Sequence, residues 1–349
     1  MEKTLNEINV RTSNNFGMNN IKVNADFPKS KKAFNNLNIN VKSGKDKVTE
    51  LNKLDNLNLT FGVGFLDVSK INKNILIEVN SKMENPIKLD FYFDEESNQL
   101  EDNIEVIANE NTVSTLFISY RSKRDIKSYH NGVLKVSAKK NSKVNVVIIN
   151  LLNEVSDNFY SIEDIIEDGG YIKYTIIDFG AKNSISNLYS NVVGENANNI
   201  INTIYLGKDN DLIDINYIVD MRGKASNVNI DAQGALTGNA RKHFKGSIDF
   251  KTGCKKAVGD ENESCMLLSD KAKSLSLPML LCSEEDVIGN HSTGSGKADK
   301  KELFYLQSRG FSEKEALKLL VRAKFNTILN NIKDKAIFAM VVEEIDKIL

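Results

Sequence analysis

Tryptophan is absent from this 349-residue chain, and proline, histidine and cysteine occur only 3 times each. The cysteines, Cys254, Cys265 and Cys282, never stand at CxxC spacing, which excludes a zinc ribbon or a thioredoxin-type motif. So few thiols, odd in number, fit a reducing compartment better than a disulfide-stapled secreted protein. They read as core thiols, with a metal-related role as the alternative because all three fall within one 30-residue stretch. Charge of one sign is also lacking: 46 Lys+Arg face 47 Asp+Glu, a net charge of −1. A dedicated nucleic-acid binder needs a surplus of cations to neutralise phosphates, so that class is excluded. No apolar run approaches the roughly 20 residues of a membrane span, and Met1 opens no charged-then-apolar leader. The expectation is a cytoplasmic protein with no membrane association.

Asparagine is abundant, in keeping with an AT-rich coding sequence and also with tight turns, where its side chain tolerates the left-handed conformation. Residues 1–60 are polar and weakly periodic, with basic groups at Lys29, Lys31, Lys32 and at Lys42, Lys45, Lys47. They read as a loosely ordered arm contributing at most an initial strand. From residue 61 to 297 the pattern is β-like. Ile75, Ile77 and Val79 alternate with polar neighbours, as do Leu89, Phe91 and Phe93, and similar runs recur to Leu236. Gly180, Gly194, Gly207, Gly223 and Gly238 follow such runs at intervals of 14, 13, 16 and 15 residues. Glycine at these places is expected to supply positive-φ turns. Near-constant strand-plus-turn units point to stacked coils, two units per coil, in a flattened two-sheet solenoid. An antiparallel sandwich would show turns every 8–12 residues and more Asn-Gly pairs than the single Asn131-Gly132.

Residues 298–349 are helical. Asp299–Ser308 reads as a short helix ended by Arg309-Gly310. Ser312-Glu-Lys-Glu315 forms a capping box ahead of a helix with Ala316, Leu319, Leu320, Ala323 and Ile328 at helical spacing. A last helix starts near Asp334 and carries Ile337, Met340, Val341, Ile345 and Ile348.

Catalytic motifs are missing. Ser292–Lys297 (STGSGK) is not a P-loop: His291 stands where its first glycine belongs, and Ala298 replaces the hydroxyl after the lysine. No Gly-x-Ser-x-Gly elbow is present. Asp211, Asp214, Asp220 and Asp231 would have to converge on one face for a polysaccharide-degrading or carbohydrate-binding β-helix, the alternative function; they read as solvated turn and rim residues. His243, beside Arg241, Lys242 and Lys245, reads as an exposed basic turn. His291 is the residue to mark, in a polar loop between the β-body and the helices. Imidazole is a common iron or zinc ligand, and a locally hydrogen-bonded surface histidine is the competing reading.

Glu285-Asp-Val-Ile-Gly-Asn-His-Ser-Thr-Gly294, followed by Glu302-Leu-Phe-Tyr-Leu-Gln-Ser-Arg-Gly-Phe-Ser-Glu-Lys-Glu-Ala316, resembles the closing segment of the SufB/SufD family of iron–sulfur assembly scaffolds. Phe244-Lys-Gly-Ser-Ile248 and Leu267-Leu-Ser-Asp270 match the same pattern. The resemblance implies a right-handed parallel β-helix with a C-terminal helical domain and no enzymatic activity of its own. It implies an ABC-type ATPase partner, SufC, docking on the helices through Phe304, Arg309, Phe311, Ala316, Leu319 and Leu320. It further implies pairing through the β-helix with a SufB-type scaffold or with a second copy, and an iron–sulfur cluster held only transiently at that interface. SufB-like proteins carry a cysteine seven residues before the position of Asp270; here Glu263 stands there and Cys265 is displaced by two. SufD-like proteins carry a histidine where His291 stands, implicated in the nascent cluster, so the chain is most similar to SufD. It departs in a short amino-terminal region, in Asn216 and Met221 where a histidine pair is expected, and in Gly289 where a cysteine is common.

Overall fold

A computed structural model describes residues 2–12, 16–41, 45–52, 59–60, 67–82 and 85–349. Lys42 of the second basic group and residues 61–66, where the β-body was expected to begin, lie outside the described residues. Four short strands come first: β1 (Glu2–Leu5), β2 (Ile21–Asn24), β3 (Leu37–Asn40) and β4 (Lys47–Glu50). The longer strands begin with β5 (Lys73–Val79), β6 (Ile87–Phe93), β7 (Gln99–Ala108), β8 (Val113–Ser122), β9 (Tyr129–Ala138) and β10 (Lys143–Leu151). Then come β11 (Asp157–Ile166), β12 (Tyr171–Asp178), β13 (Asn183–Val192), β14 (Asn198–Gly207) and β15 (Leu212–Met221). The series closes with β16 (Asn227–Leu236), β17 (Arg241–Phe250), β18 (Ala257–Leu267), β19 (Lys273–Cys282) and β20 (Val287–Gly296).

From β5 onward the odd-numbered strands form one sheet and the even-numbered strands another, every neighbour parallel. The chain therefore winds as a two-sheet β-solenoid of about eight turns. Register offsets between stacked strands run from 26 residues (Asp157↔Asn183) to 32 (Arg241↔Lys273). Half of such a coil matches the glycine spacing, but the reason for the glycines differs from the one expected. Only Gly238 of the five has a positive φ. The others sit where stacked coils touch backbone to backbone or backbone to side chain. A Cβ on Gly194 would lie 2.1 Å from the carbonyl carbon of Glu167, and one on Gly223 only 1.7 Å from the Gly194 oxygen. Left-handed turn positions, one coil apart, are taken instead by Asn111, Asn141, Gly169 and Asn196, three of the four being asparagine, whose tolerance of that conformation allows it.

Inward-facing residues of the two sheets interdigitate in one apolar core, with Val144, Val146 and Ile148 of β10 among them. The alternate residues Val147 and Ile149 point outward, yet they are buried too. The cause is the C-terminal helices: α1 (Lys300–Ser308), α2 (Glu313–Leu329) and α3 (Lys335–Ile348). Val321, Phe325, Ile328, Val341 and Ile345 of α2 and α3 pack on Phe117, Val147, Ile177, Phe179 and Ile204 of the even-numbered sheet. Phe325 stacks on Phe179 at 5.8 Å between ring centres. A strand buried on both faces reads as a continuous apolar run, which is what Val146–Ile149 is. The Ser312–Glu315 capping box forms, and Asp299 and Asp334 cap the other two helices.

The amino-terminal segment is more ordered than its weak periodicity suggests. The β1–β2 hairpin lays Leu5, Ile21, Val23 and Ala25 on Tyr129, Phe159 and Ile185, covering the outer face of the odd-numbered sheet. Strands β3 and β4 add antiparallel to β6 and β5, so they shield the first coil's edges. Among the described residues no helix is long and apolar enough to cross a membrane.

Candidate functional site: the open last coil

Among the described residues the solenoid's far end has no such cover. Strands β19 and β20 each have a sheet neighbour on one side only, and β20 is exposed from Ile288 to Gly296. His291 lies in this edge strand, not in a loop as the glycine-rich sequence implies. Its register partner is Glu261 of β18, so the two side chains share the inward face. Thr293 and Ser295 follow on that face, opposite Glu263 and Cys265.

One layer deeper, charges are buried. Lys242 is fully enclosed and its Nζ donates to Glu263 Oε1 (2.8 Å), Ser276 Oγ (3.0 Å) and the Leu275 carbonyl (3.3 Å). Glu263 also accepts from Tyr205 OH (2.5 Å) and from Ser276 Oγ (2.8 Å). Three acceptors for the ammonium's three protons and three donors for the carboxylate make this a satisfied buried pair, the condition for tolerating ions in a core. Glu261 is different. It is 2 % exposed, and among the described residues neither carboxylate oxygen has a hydrogen-bond partner. Burial and the neighbouring Glu263 charge push it up to about 8, so it is a neutral acid at pH 7. A neutral carboxyl beneath an exposed imidazole is a poised pair: a cation arriving at the opening would favour release of the Glu261 proton.

The thiols divide. Cys265 and Cys254 are buried, and burial raises both; Cys282 is exposed at the end of β19, a correction to its reading as a core thiol. Among the described residues no group of three or more His, Cys, Asp or Glu is placed to hold a metal ion. Any metal or cluster bound at His291 therefore needs ligands from outside this set.

The basic run 241–245 is not an exposed turn. It lies in β17, where alternation sends Lys242 inward and His243 and Lys245 outward. Lys245 is fully buried there, because the amino-terminal segment covers it. Its Nζ pairs with Asp214 Oδ1 at 2.6 Å and donates to the Asn6 carbonyl at 3.0 Å. Burial alone would raise Asp214, but Lys245 and His243 outweigh it and hold the carboxyl below its ordinary value. Asp211 and Asp220 are also buried, against their reading as solvated rim residues. Asp214 and Asp220 are six residues apart on one strand, about 20 Å, and Asp231 belongs to the other sheet. A glycosidase pair needs separations of about 5–10 Å, so these carboxylates do not form one. Asn216 donates to the Glu7 carbonyl under the amino-terminal segment, and Met221 is in the apolar core; neither faces the open coil.

On the helices, Phe304 (72 % exposed), Phe311 and Leu319 are presented to solvent. Arg309 is exposed, with its guanidinium 5.3 Å from the Tyr305 ring centre. Leu320 is half-buried. Ala316 is fully buried, a correction to its place in a docking surface: it shares the stripe of Val321, Phe325 and Ile328 that faces inward.

Comparison with known proteins fits this geometry. The profile of the family described as SUF system FeS cluster assembly, SufBD core domain, matches residues 91–324. The chain is 26% identical over 164 residues to the iron-sulfur cluster assembly protein SufD of Bacillus subtilis, which is 47% of this chain and 38% of that protein. It is 25% identical over 260 residues to a SufBD family protein of Pyrococcus horikoshii (74% of this chain, 58% of that one). A SufBD family protein of Methanocaldococcus jannaschii is 23% identical over 258 residues (72% and 80%). The chain thus spans about two-fifths to three-fifths of the length of the first two relatives. With a profile match across most of the solenoid and into α2, the chain belongs to the SufBD family of SUF-system iron–sulfur cluster assembly proteins.

Proposed function

We propose that this chain is a non-catalytic scaffold subunit of a SufBCD-type complex, working in the cytoplasm. The uncovered last coil carries the reading. An exposed edge strand with a row of polar inward residues is a template for pairing, and the first coil, by contrast, is shielded by β3 and β4. A SufB-type solenoid, or a second copy of this chain, pairs there and completes the surroundings of His291. The iron–sulfur cluster is cargo, held between the two chains by His291 and the partner's ligands, with Glu261 supplying a carboxylate once its proton leaves. A SufC-type ATPase docks on α1 and the start of α2 through Phe304, Arg309, Phe311, Leu319 and Leu320, and its closure pulls on the helices and opens the interface.

The test is co-expression with the cognate SufC-type ATPase and SufB-type scaffold, followed by size-exclusion chromatography. Deleting residues 299–349 strips the cover from the even-numbered sheet, so the informative variant is Phe304→Ser with Phe311→Ser, both exposed. A complex that forms with the intact chain and loses only the ATPase in this variant supports the reading. Absence of any complex with the intact chain overturns it. His291→Ala is expected to leave assembly intact and abolish cluster build-up, read by the visible absorbance of the purified complex.

A further inference from the structure

A second polar site lies away from the open coil. A cavity of about 580 Å³ separates the outer face of the even-numbered sheet from the α2–α3 connection. It sits over β8, β10 and β12. β12 is four strands from β20, about 19 Å at the usual strand spacing. Strand register builds its floor in rows: Thr115, Asn145 and Lys173 stand side by side, and Phe117, Val147 and Thr175 form the next row. Asn331 and Lys333 of the α2–α3 connection close the roof.

The charge at this cavity is unbalanced. Lys173 and Lys333 line it, and neither forms an ion pair among the described residues; Lys173 Nζ donates only to Asn331 Oδ1, at 2.8 Å. Desolvation, and then the Lys333 charge, lower the Lys173 ammonium from its ordinary value. The single carboxylate among the described lining residues is Asp334, and it is already committed. It is ion-paired with Lys88 and caps α3 by accepting from the amides of Ala336 and Ile337. Two like charges are thus held at one cleft with no counter-ion, an arrangement that an anion would relieve. Hydrogen-bonding capacity is also spare: the side chains of Thr115, Thr175, Asn145 and Tyr171 line the cavity without a protein partner among the described residues. Beside them, buried Phe117 and Val147 offer an apolar surface. Cavities of a few hundred Å³ with an apolar floor and a few convergent polar groups are the usual shape of small-molecule sites.

We propose that this cavity binds a phosphate monoester with an apolar or aromatic body, the phosphate between Lys173 and Lys333 and the body against Phe117 and Val147. The site uses no residue of the open coil or of the exposed ATPase-facing surface, so it stands apart from the scaffold reading. Titration calorimetry on the full chain with phenyl phosphate and with inorganic phosphate, at low ionic strength, tests it. Phenyl phosphate is expected to saturate one site and to bind at least about tenfold more tightly than inorganic phosphate. Lys173→Gln and Lys333→Gln are each expected to weaken it about tenfold or more, the usual loss for one charge-assisted contact. Lys314→Gln, on the exposed start of α2, leaves it unchanged. No saturable binding, equal affinity for the two probes, or indifference to both lysine substitutions overturns the proposal. Both lysines reach solvent, so the variants fold; circular dichroism confirms it for each.

Discussion

Replacing Glu261 by glutamine keeps the side chain's shape and removes its ability to ionise. The residue is packed against the β17 backbone, since a Cβ on Gly246 would lie 2.0 Å from Glu261 Oε1, and among the described residues no hydrogen-bond partner compensates its charge. Its ordinary value of 4.5 rises to about 8 in the folded chain. Between those limits the folded state holds a proton that the unfolded state has released. Stability therefore falls as pH rises through 4.5–8 and is unaffected by this group below the window. At about 1.4 kcal/mol per pH unit the full penalty is about 5 kcal/mol, and about 2 kcal/mol of it accrues between pH 5 and pH 7. The glutamine variant escapes that term. Urea unfolding at pH 5, 6, 7 and 8, followed by far-UV circular dichroism, should show the variant gaining on the parent chain as pH rises. The advantage should be small at pH 5 and about 2 kcal/mol larger at pH 7. Asp164 and Asp211, both pushed up to about 7 by burial, slope the same way, but they cancel in the comparison. A pH-independent difference, or a variant less stable than the parent at pH 8, would refute the assignment of Glu261 as an uncompensated buried acid.

Ser312→Ala removes the side-chain half of the capping box and should lower stability by about 1 kcal/mol, read as a shift in the urea midpoint. Lys242→Met leaves Glu263 buried with one donor fewer and a bare charge; a loss of about 3–5 kcal/mol is expected. Adding Glu263→Gln should recover a large part of it in the same unfolding assay, and no recovery would mean the pair is not the unit that matters. Gly234→Ala would set a Cβ 1.9 Å from the Tyr205 ring, displacing the hydroxyl that donates to Glu263. A loss of about 1–3 kcal/mol should follow, with a changed tyrosine ultraviolet difference spectrum.

The solenoid was legible because its repeat is written in regular intervals, and the helices because their caps are local. What local reading missed was pairing at a distance of one coil. Arg241–Lys245 looks like a basic turn to any window of five residues; only its place in β17 sends Lys242 and Lys245 to opposite sides, each into its own buried carboxylate. The glycines gave the right spacing for an incomplete reason, since close stacking between coils, not turn conformation, excludes a Cβ at Gly194 and Gly223. His291 was marked by its residue type, but the glycines around it disguised a strand as a loop. Counting back one coil of about 30 residues from His291 would have landed on Glu261, the one signal in the sequence that joins the two. The cavity over β8–β12 had no such signal, because its residues come from four coils and a helix connection.

The coil repeat also bears on how the chain reaches this state. Every parallel pairing joins strands 26–32 residues apart, so each new coil closes a loop short relative to the 349-residue chain. Contacts that local favour rapid formation for a β-protein, and each coil can settle on its predecessor as it is completed. Contacts of the amino-terminal segment and of the helical end break the pattern. Asn6 reaches Asp214 across 208 residues, and Lys88 reaches Asp334 across 246. These clasps cannot close until most coils exist. They turn a stack that could fray rung by rung into a unit whose two ends share one fate, and amide hydrogen exchange should report the middle coils opening together rather than in sequence.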